Sequence, residues 1–187
     1  MNHIDRIKEI CGQAAEPLIE VSRNGIKSYQ TFEVDCKDLE DYNHIDIRDS
    51  EKFKETFSQL KKVTGPVLYW FEIISDIDNQ AIIAELTKYI NLGDYKSVPA
   101  LKKTLNFDTR ALYVGKVKTQ FWGRLIQHLG YYKVKATQGL QLYYWAKNLP
   151  IKFKIHVYEF EKNMADLMPI VENALAKELK PLIGKHK

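Results

Sequence analysis

The sequence predicts a mixed α/β (α+β) fold, with a small central β-sheet flanked by helices, an N-terminal extension and a helix inserted between two of the strands. Three observations carry this. The run VLYWFEII over 67–74 is continuously apolar and aromatic, as in a strand buried on both faces. IKFKIHVYEF over 151–160 alternates, as a half-exposed strand does. Several other stretches repeat apolar residues at helical spacing. The chain has 187 residues, 45% hydrophobic and 28% charged. That is the size of one domain, or of one domain with an extension, and it can bury a core without crosslinks.

In chain order, Ile4, Ile7, Ile10, Cys11, Ala14 and Leu18 mark a helix over 3–20. SYQTFEV (28–34) reads as a strand, and the acidic, aperiodic 35–50 as loop. Ser50 is the expected N-cap of a helix over 51–62 that buries Phe53, Phe57 and Leu60. Gly65-Pro66 breaks the chain before the 67–74 strand. A polar turn and a helix over 79–90 follow, then a second strand, ALYV (111–114), closed by Gly115-Lys116. Thr119 is the expected cap of a helix running to Leu129 and stopped by Gly130. Residues 139–147 read as helical. After the 151–160 strand, a last helix spans 166–179, with Pro169 in its first turn and Pro181 beyond its end. Residues 1–62 form the extension, and 63–187 the main domain with an insertion at 76–108.

Composition narrows the function. Cys11 and Cys36 cannot build a disulfide framework, and neither belongs to a CxxC or Cys/His cluster, which argues against a thiolate zinc site. No apolar run is long enough for a membrane span. MNHIDRIKEICG lacks the pattern of a secretory leader, so the expected setting is cytoplasmic. Charge is uneven. Residues 1–94 hold 11 Lys+Arg against 18 Asp+Glu, and residues 95–187 hold 17 against 6, which is −7 against +11. A basic second half suits a polyanion. Lys133, Lys135, Lys147, Lys152 and Lys154 interleave there with Tyr131, Tyr132, Tyr143, Tyr144 and Trp145. Lysines in such a mixture suit phosphate contact, while the aromatics are read chiefly as core.

Phosphate loops, GxGxxG turns, HExxH helices and GxSxG elbows are all missing. What stands out is an ordered set: Tyr69 in VLYWFEI, Tyr113 in ALYVGK with Lys116 after it, Arg124 and His128 in RLIQHL, and Glu172 in ENALAKELKP. Arg124 and His128 are i,i+4 and share a face, about 100° around from the Phe121/Leu125/Leu129 stripe. On the last helix Val171, Ala174, Leu175 and Leu182 form the expected apolar arc. Glu172 flanks it, and Glu178 points closer to its centre.

Over residues 65–187 this set resembles the GIY-YIG nuclease family. Val67-Leu68-Tyr69 and Tyr113-Val114-Gly115 match the family's tyrosine-bearing strand pair, the first triplet with Val67 in place of glycine. Arg124 matches the arginine of the next helix, His128 the histidine that some members carry one turn later, and Glu172 the metal-binding glutamate ahead of Pro181. The spacing from Tyr69 to Tyr113 is longer than in compact members, and Gly184 falls where an asparagine often stands. The resemblance implies a metal-dependent endonuclease acting on nucleic acid, DNA foremost, with Mg²⁺ or another divalent cation. Glu172 would hold the metal and Arg124 the scissile phosphate. Tyr69 and Tyr113 would handle the attacking water, assisted by His128 or Lys116. Lys116, Lys118, Lys133, Lys135 and Lys147 are the expected nucleic-acid contacts. Cutting both strands would require a homodimer or two encounters. The competing expectation is a binding or regulatory domain that keeps the fold without activity. Asp35-Cys36-Lys37 and Glu178-Leu179-Lys180 also carry the acidic-x-Lys letters of another nuclease superfamily.

Overall fold

The computed structural model describes residues 2–41, 44–93 and 95–185. Among them the fold is α+β: one four-stranded antiparallel sheet with six α-helices. The strands are β1 (Ser28–Asp35), β2 (Val67–Ile73), β3 (Ala111–Val117) and β4 (Lys152–Glu159), in the order β1-β4-β2-β3. The helices are α1 (His3–Asn24), α2 (Lys54–Leu60), α3 (Asn79–Asn91), α4 (Phe121–Leu129), α5 (Leu142–Trp145) and α6 (Met168–Leu179). No helix among the described residues is long and apolar enough to cross a membrane.

The run read as doubly buried is the inner strand β2, paired with β4 on one side and β3 on the other. Its alternate residues feed two cores. Val67, Tyr69, Phe71 and Ile73 join the larger core with Phe121, Leu125, Phe153, Ile155 and Val157. Leu68 and the partly buried Trp70 join the smaller core, with Val114, Met168 and Ala176. Residues 28–35 belong to the same sheet as the rest of the chain, because β1 pairs with β4 from Ser28↔Glu159 to Asp35↔Lys152. Phe53, Phe57 and Leu60 fill the same core.

Glu159 locks this join. Its carboxylate accepts from Lys27 Nζ at 2.8 Å, Ser28 Oγ at 2.9 Å, and the backbone N–H groups of Thr64 at 3.1 Å and Gly65 at 2.9 Å. Burial opposes ionisation there, but the bonds from Lys27, Gly65, Ser28 and Thr64 outweigh it and hold the pKa below the ordinary 4.5. Glu159→Gln is expected to cost about 3 kcal/mol, because an amide cannot satisfy the same donors. The carboxylate's contribution is complete above the ordinary glutamate pKa and fades as pH falls through the lowered folded value. Chemical denaturation of both proteins at pH 7 and at pH 3 should show a wide gap that narrows in acid.

The structure corrects several local expectations. Ser50 does not cap with its side chain: its hydroxyl donates to Glu40 Oε1 at 2.8 Å, and α2 starts only at Lys54. β3 does not stop at Gly115 but continues to Val117. Thr119 is not the cap of α4, which is preceded by Gln120 in the left-handed region. Only 142–145 of the 139–147 stretch is helical. On α6 Val171 and Leu175 pack on the smaller core as expected, beside the buried Met168 and Ala176, while Ala174 and Glu178 face solvent. The stripe on α1 is exposed, with Ile4 and Ile7 at 63% and 59%, and only Leu18 and Val21 touch a core.

Candidate active site

β2 and β3 pair with Tyr69 opposite Gly115 and Phe71 opposite Tyr113, so both tyrosines rise from the same sheet face toward α4. Gly115 makes this possible: a Cβ there would lie 2.6 Å from Tyr69 Oη and 2.6 Å from the Tyr113 ring. The Tyr69 phenol therefore lies directly over bare backbone. Its ring packs on Phe121 (4.7 Å between centroids) and on His128 (5.4 Å).

Hydrogen bonding around Tyr69 is determinate. The Leu140 backbone N–H donates to His128 Nδ1 at 3.1 Å. Burial, with Arg124 nearby, holds the His128 pKa well below its ordinary value, so the ring is neutral. The ring proton is therefore assigned to Nε2, which donates to Tyr69 Oη at 2.8 Å. Arg124 Nε donates to the same oxygen at 3.1 Å. With two donors on it, the Tyr69 oxygen is engaged as an acceptor, and its ring lies 6.2 Å from that of Tyr113. Burial pushes the Tyr69 phenol pKa up; Tyr113 adds to the rise and Arg124 only partly offsets it. Burial also raises Tyr113, against the pull of Arg124. Burial works against the Arg124 charge, yet the two phenol oxygens prevail and raise its pKa. Nη1 of Arg124 is held by Gln127 Oε1 and the Gln138 carbonyl, both at 2.6 Å.

These groups back onto a cavity of about 170 Å³ lined by Tyr113, Gln138, Glu172, Asn173, Gly184 and Lys185, with Pro99 and Ala100. α6 crosses the other sheet face and brings Glu172 to the edge of β3, where its carboxylate lies 3.8 Å from Lys116 Nζ with 16% of the side chain exposed. Leu182 and Ile183 hydrogen-bond to Ala111 and Leu112 along that edge, which places Gly184 on the wall.

Of the six expected site residues, Tyr113 and Glu172 line the cavity and Lys116 contacts Glu172. Arg124 lies one hydrogen bond behind the wall, through Gln138. Tyr69 and His128 have no exposed surface, so they can act only by positioning other groups. The expected nucleic-acid lysines are dispersed. Lys118 pairs with Asp166 at 2.6 Å, Lys147 lies over the Tyr143 ring at 4.6 Å, and Lys133 and Lys135 lie on an exposed loop. Asp35 is structural: it pairs with Lys152 at 3.0 Å and accepts from the Lys37 N–H, beside a buried Cys36. Glu178 is exposed on the far side of α6.

Sequence reading missed Gln127, Gln138 and Asn173, for which amide residues carry no spacing signature. It also missed Lys96, a buried ammonium that donates to the Gly130 carbonyl at 3.0 Å and the Tyr132 carbonyl at 2.7 Å, fixing the loop after α4.

No cluster of three or more His, Cys, Asp or Glu is placed to hold a metal among the described residues. The wall carries one carboxylate, Glu172, beside Tyr113, Gln138 and Asn173, with Lys185 also on the wall and Lys116 at 3.8 Å from the carboxylate; a hard cation that keeps most of its waters needs no more than such a carboxylate from the protein. A thiophilic or histidine-seeking metal finds no ligands on this wall. No protein-family model, no curated protein and no solved structure matches this chain.

Proposed function

We propose that this chain is a metal-dependent endonuclease of GIY-YIG type that hydrolyses phosphodiester bonds, with DNA the leading substrate. The observation that carries this reading is the meeting of Tyr113, Glu172 and, one bond away, Arg124 at one open cavity, from β3, α6 and α4. Hydrolysis needs an oriented water, charge neutralised on the phosphate and a stabilised leaving oxygen. Glu172, with the oxygens beside it, would hold the divalent cation. When bound, that cation lowers the pKa of water and takes up phosphate charge. Tyr113 offers its hydroxyl from the wall to orient the attacking water. Arg124, fixed one hydrogen bond behind the wall, would lend positive charge to the phosphate site. Lys116 faces a phosphate oxygen once Glu172 is engaged elsewhere. Tyr69, held by His128, positions Tyr113 and Arg124.

This division of labour makes the tyrosines unequal. Tyr113→Phe is expected to lower kcat by about 10²-fold or more, within the range for a group that acts in proton transfer. Tyr69→Phe, which keeps the ring and loses only a buried hydroxyl, should lower kcat by about tenfold and cost about 1–2 kcal/mol of stability. Single-turnover cleavage of a labelled duplex, with thermal unfolding of each variant, checks both. Equal losses would remove the distinction.

A second reading is a nucleic-acid-binding domain without hydrolysis. It is favoured by Lys116, which already faces the Glu172 carboxylate. Plasmid nicking with Mg²⁺, and with EDTA as control, separates the two: EDTA-sensitive nicking supports the enzyme. Salt-dependent binding without nicking supports the binder.

A further inference from the structure

We infer that the large cleft on the outer side of α4 binds an unpaired nucleobase. The preferred substrate is then a strand with at least one base out of the duplex stack. This inference rests on the nuclease reading of the adjoining cavity.

The cleft encloses about 780 Å³ between the 44–48 segment, α4 and residues 131–133. That is within the usual range of small-ligand sites, about 300–1,000 Å³. Trp122, Ile126, Tyr131 and Tyr132 give it flat apolar walls, and His44, Lys133 and the Arg48–Asp46 pair bring polar groups to it. Two of its parts are held in place. The Tyr131 hydroxyl donates to the Glu40 carbonyl at 2.6 Å, and Arg48 forks onto Asp46 with Nε at 2.8 Å.

Gly123 is the informative residue. It lies inside α4 and lines the cleft. Glycine within a helix is less stable than alanine by about 0.5–1 kcal/mol. No neighbour requires its small size, because a Cβ there would meet nothing within 4 Å. The open space over it is where the inferred base would lie.

Gln127 points to what approaches. It lines the cleft, and its side-chain oxygen also holds Arg124 Nη1 at 2.6 Å. One residue therefore joins an aromatic, polar-rimmed cleft to the guanidinium assigned to the phosphate. A nucleotide has the same bipartite form: a flat base linked to a phosphate. Aromatic walls stack on bases with little sequence preference. A stacked duplex keeps its bases from such a recess, so a loop, flap, single strand or extruded base is needed.

The test uses the full chain without divalent metal, so that cleavage cannot intervene. Fluorescence anisotropy compares a labelled single-stranded oligonucleotide, a wholly abasic oligonucleotide of the same length, and the duplex. The single strand should bind at least tenfold more tightly than the abasic strand. Gly123→Leu, which fills the recess, should erase that difference and leave the abasic affinity unchanged. Gly123→Ala should be at least as heat-stable as the parent. If Gly123→Leu fails to fold, Tyr132→Ala serves in its place, since that side chain is exposed. Equal binding of base-bearing and abasic strands overturns the inference, as does a folded cleft variant with the parent's preference. Glu172→Gln should retain the preference in full. If Glu172→Gln still cuts DNA with Mg²⁺, the active-site reading fails while the base cleft stands. If the cleft variants bind like the parent while Glu172→Gln is inactive, the reverse holds.

Discussion

Glu172→Gln is expected to reduce Mg²⁺-dependent cleavage by about 10³-fold or more, with an unchanged near-ultraviolet circular dichroism spectrum. The substitution keeps the shape of the side chain and removes the carboxylate from the cavity wall. On the proposed reading, loss of the charge that would hold the cation forfeits several kcal/mol of transition-state stabilisation, and each 1.36 kcal/mol is tenfold in rate. The ion pair with Lys116 contributes little to stability, because Lys116 is partly exposed and the contact is long at 3.8 Å. Nucleic-acid affinity in EDTA should hold or rise slightly, since one negative charge has left the surface proposed to meet phosphates. Unimpaired nicking by the variant would dismiss the assignment of this cavity.

Gly115→Ala should produce the largest combined loss of stability and activity. The added methyl would enter space held by the Tyr69 hydroxyl and the Tyr113 ring, each 2.6 Å away. Tyr69 has no free volume to retreat into, while Tyr113 could move only toward the cavity it lines. Tyr69 is fully buried among Phe71, Phe121 and His128. Either β3 moves away from β2, or Tyr69 leaves the hydrogen bonds from His128 and Arg124. Overpacking costs about 1–3 kcal/mol, and an orphaned buried donor about 1–3 kcal/mol more. A loss of about 3 kcal/mol in urea denaturation is expected, with cleavage at least 10²-fold down in the fraction still folded. A stable, active Gly115→Ala protein would show that the phenol over Gly115 is not required.

The same glycine shows where sequence reading stops. Glycine followed by lysine after four β-forming residues reads as the end of a strand. In the fold it is an interior strand position whose missing side chain accommodates a tyrosine from the neighbouring strand. The expected caps fail for a related reason. The Ser50 hydroxyl finds Glu40, and Gln120 enters the left-handed region ahead of α4. At Ser50 a tertiary partner displaced the local preference. His128 is similar. Its helical spacing set it at the edge of the buried face, whereas the return of the chain through Gly139 and Leu140 covers it completely. Glu172 and Glu178 could not be ranked by periodicity, and the packing of α6 on the sheet decides that Glu172 faces the cavity.

Local spacing of apolar and β-forming residues determined that this chain makes four strands and six helices in this order, with 67–74 buried on both faces, because burial of alternate or every third and fourth side chain is written in neighbouring positions. It also determined the basic second half. The strand order β1-β4-β2-β3, the entry of residues 28–35 into the shared sheet, and the meeting of Tyr113, Gln138 and Glu172 at one cavity were decided only in three dimensions. Those contacts join residues far apart in sequence, and their geometry depends on how two cores pack on opposite faces of one sheet, which no local pattern encodes.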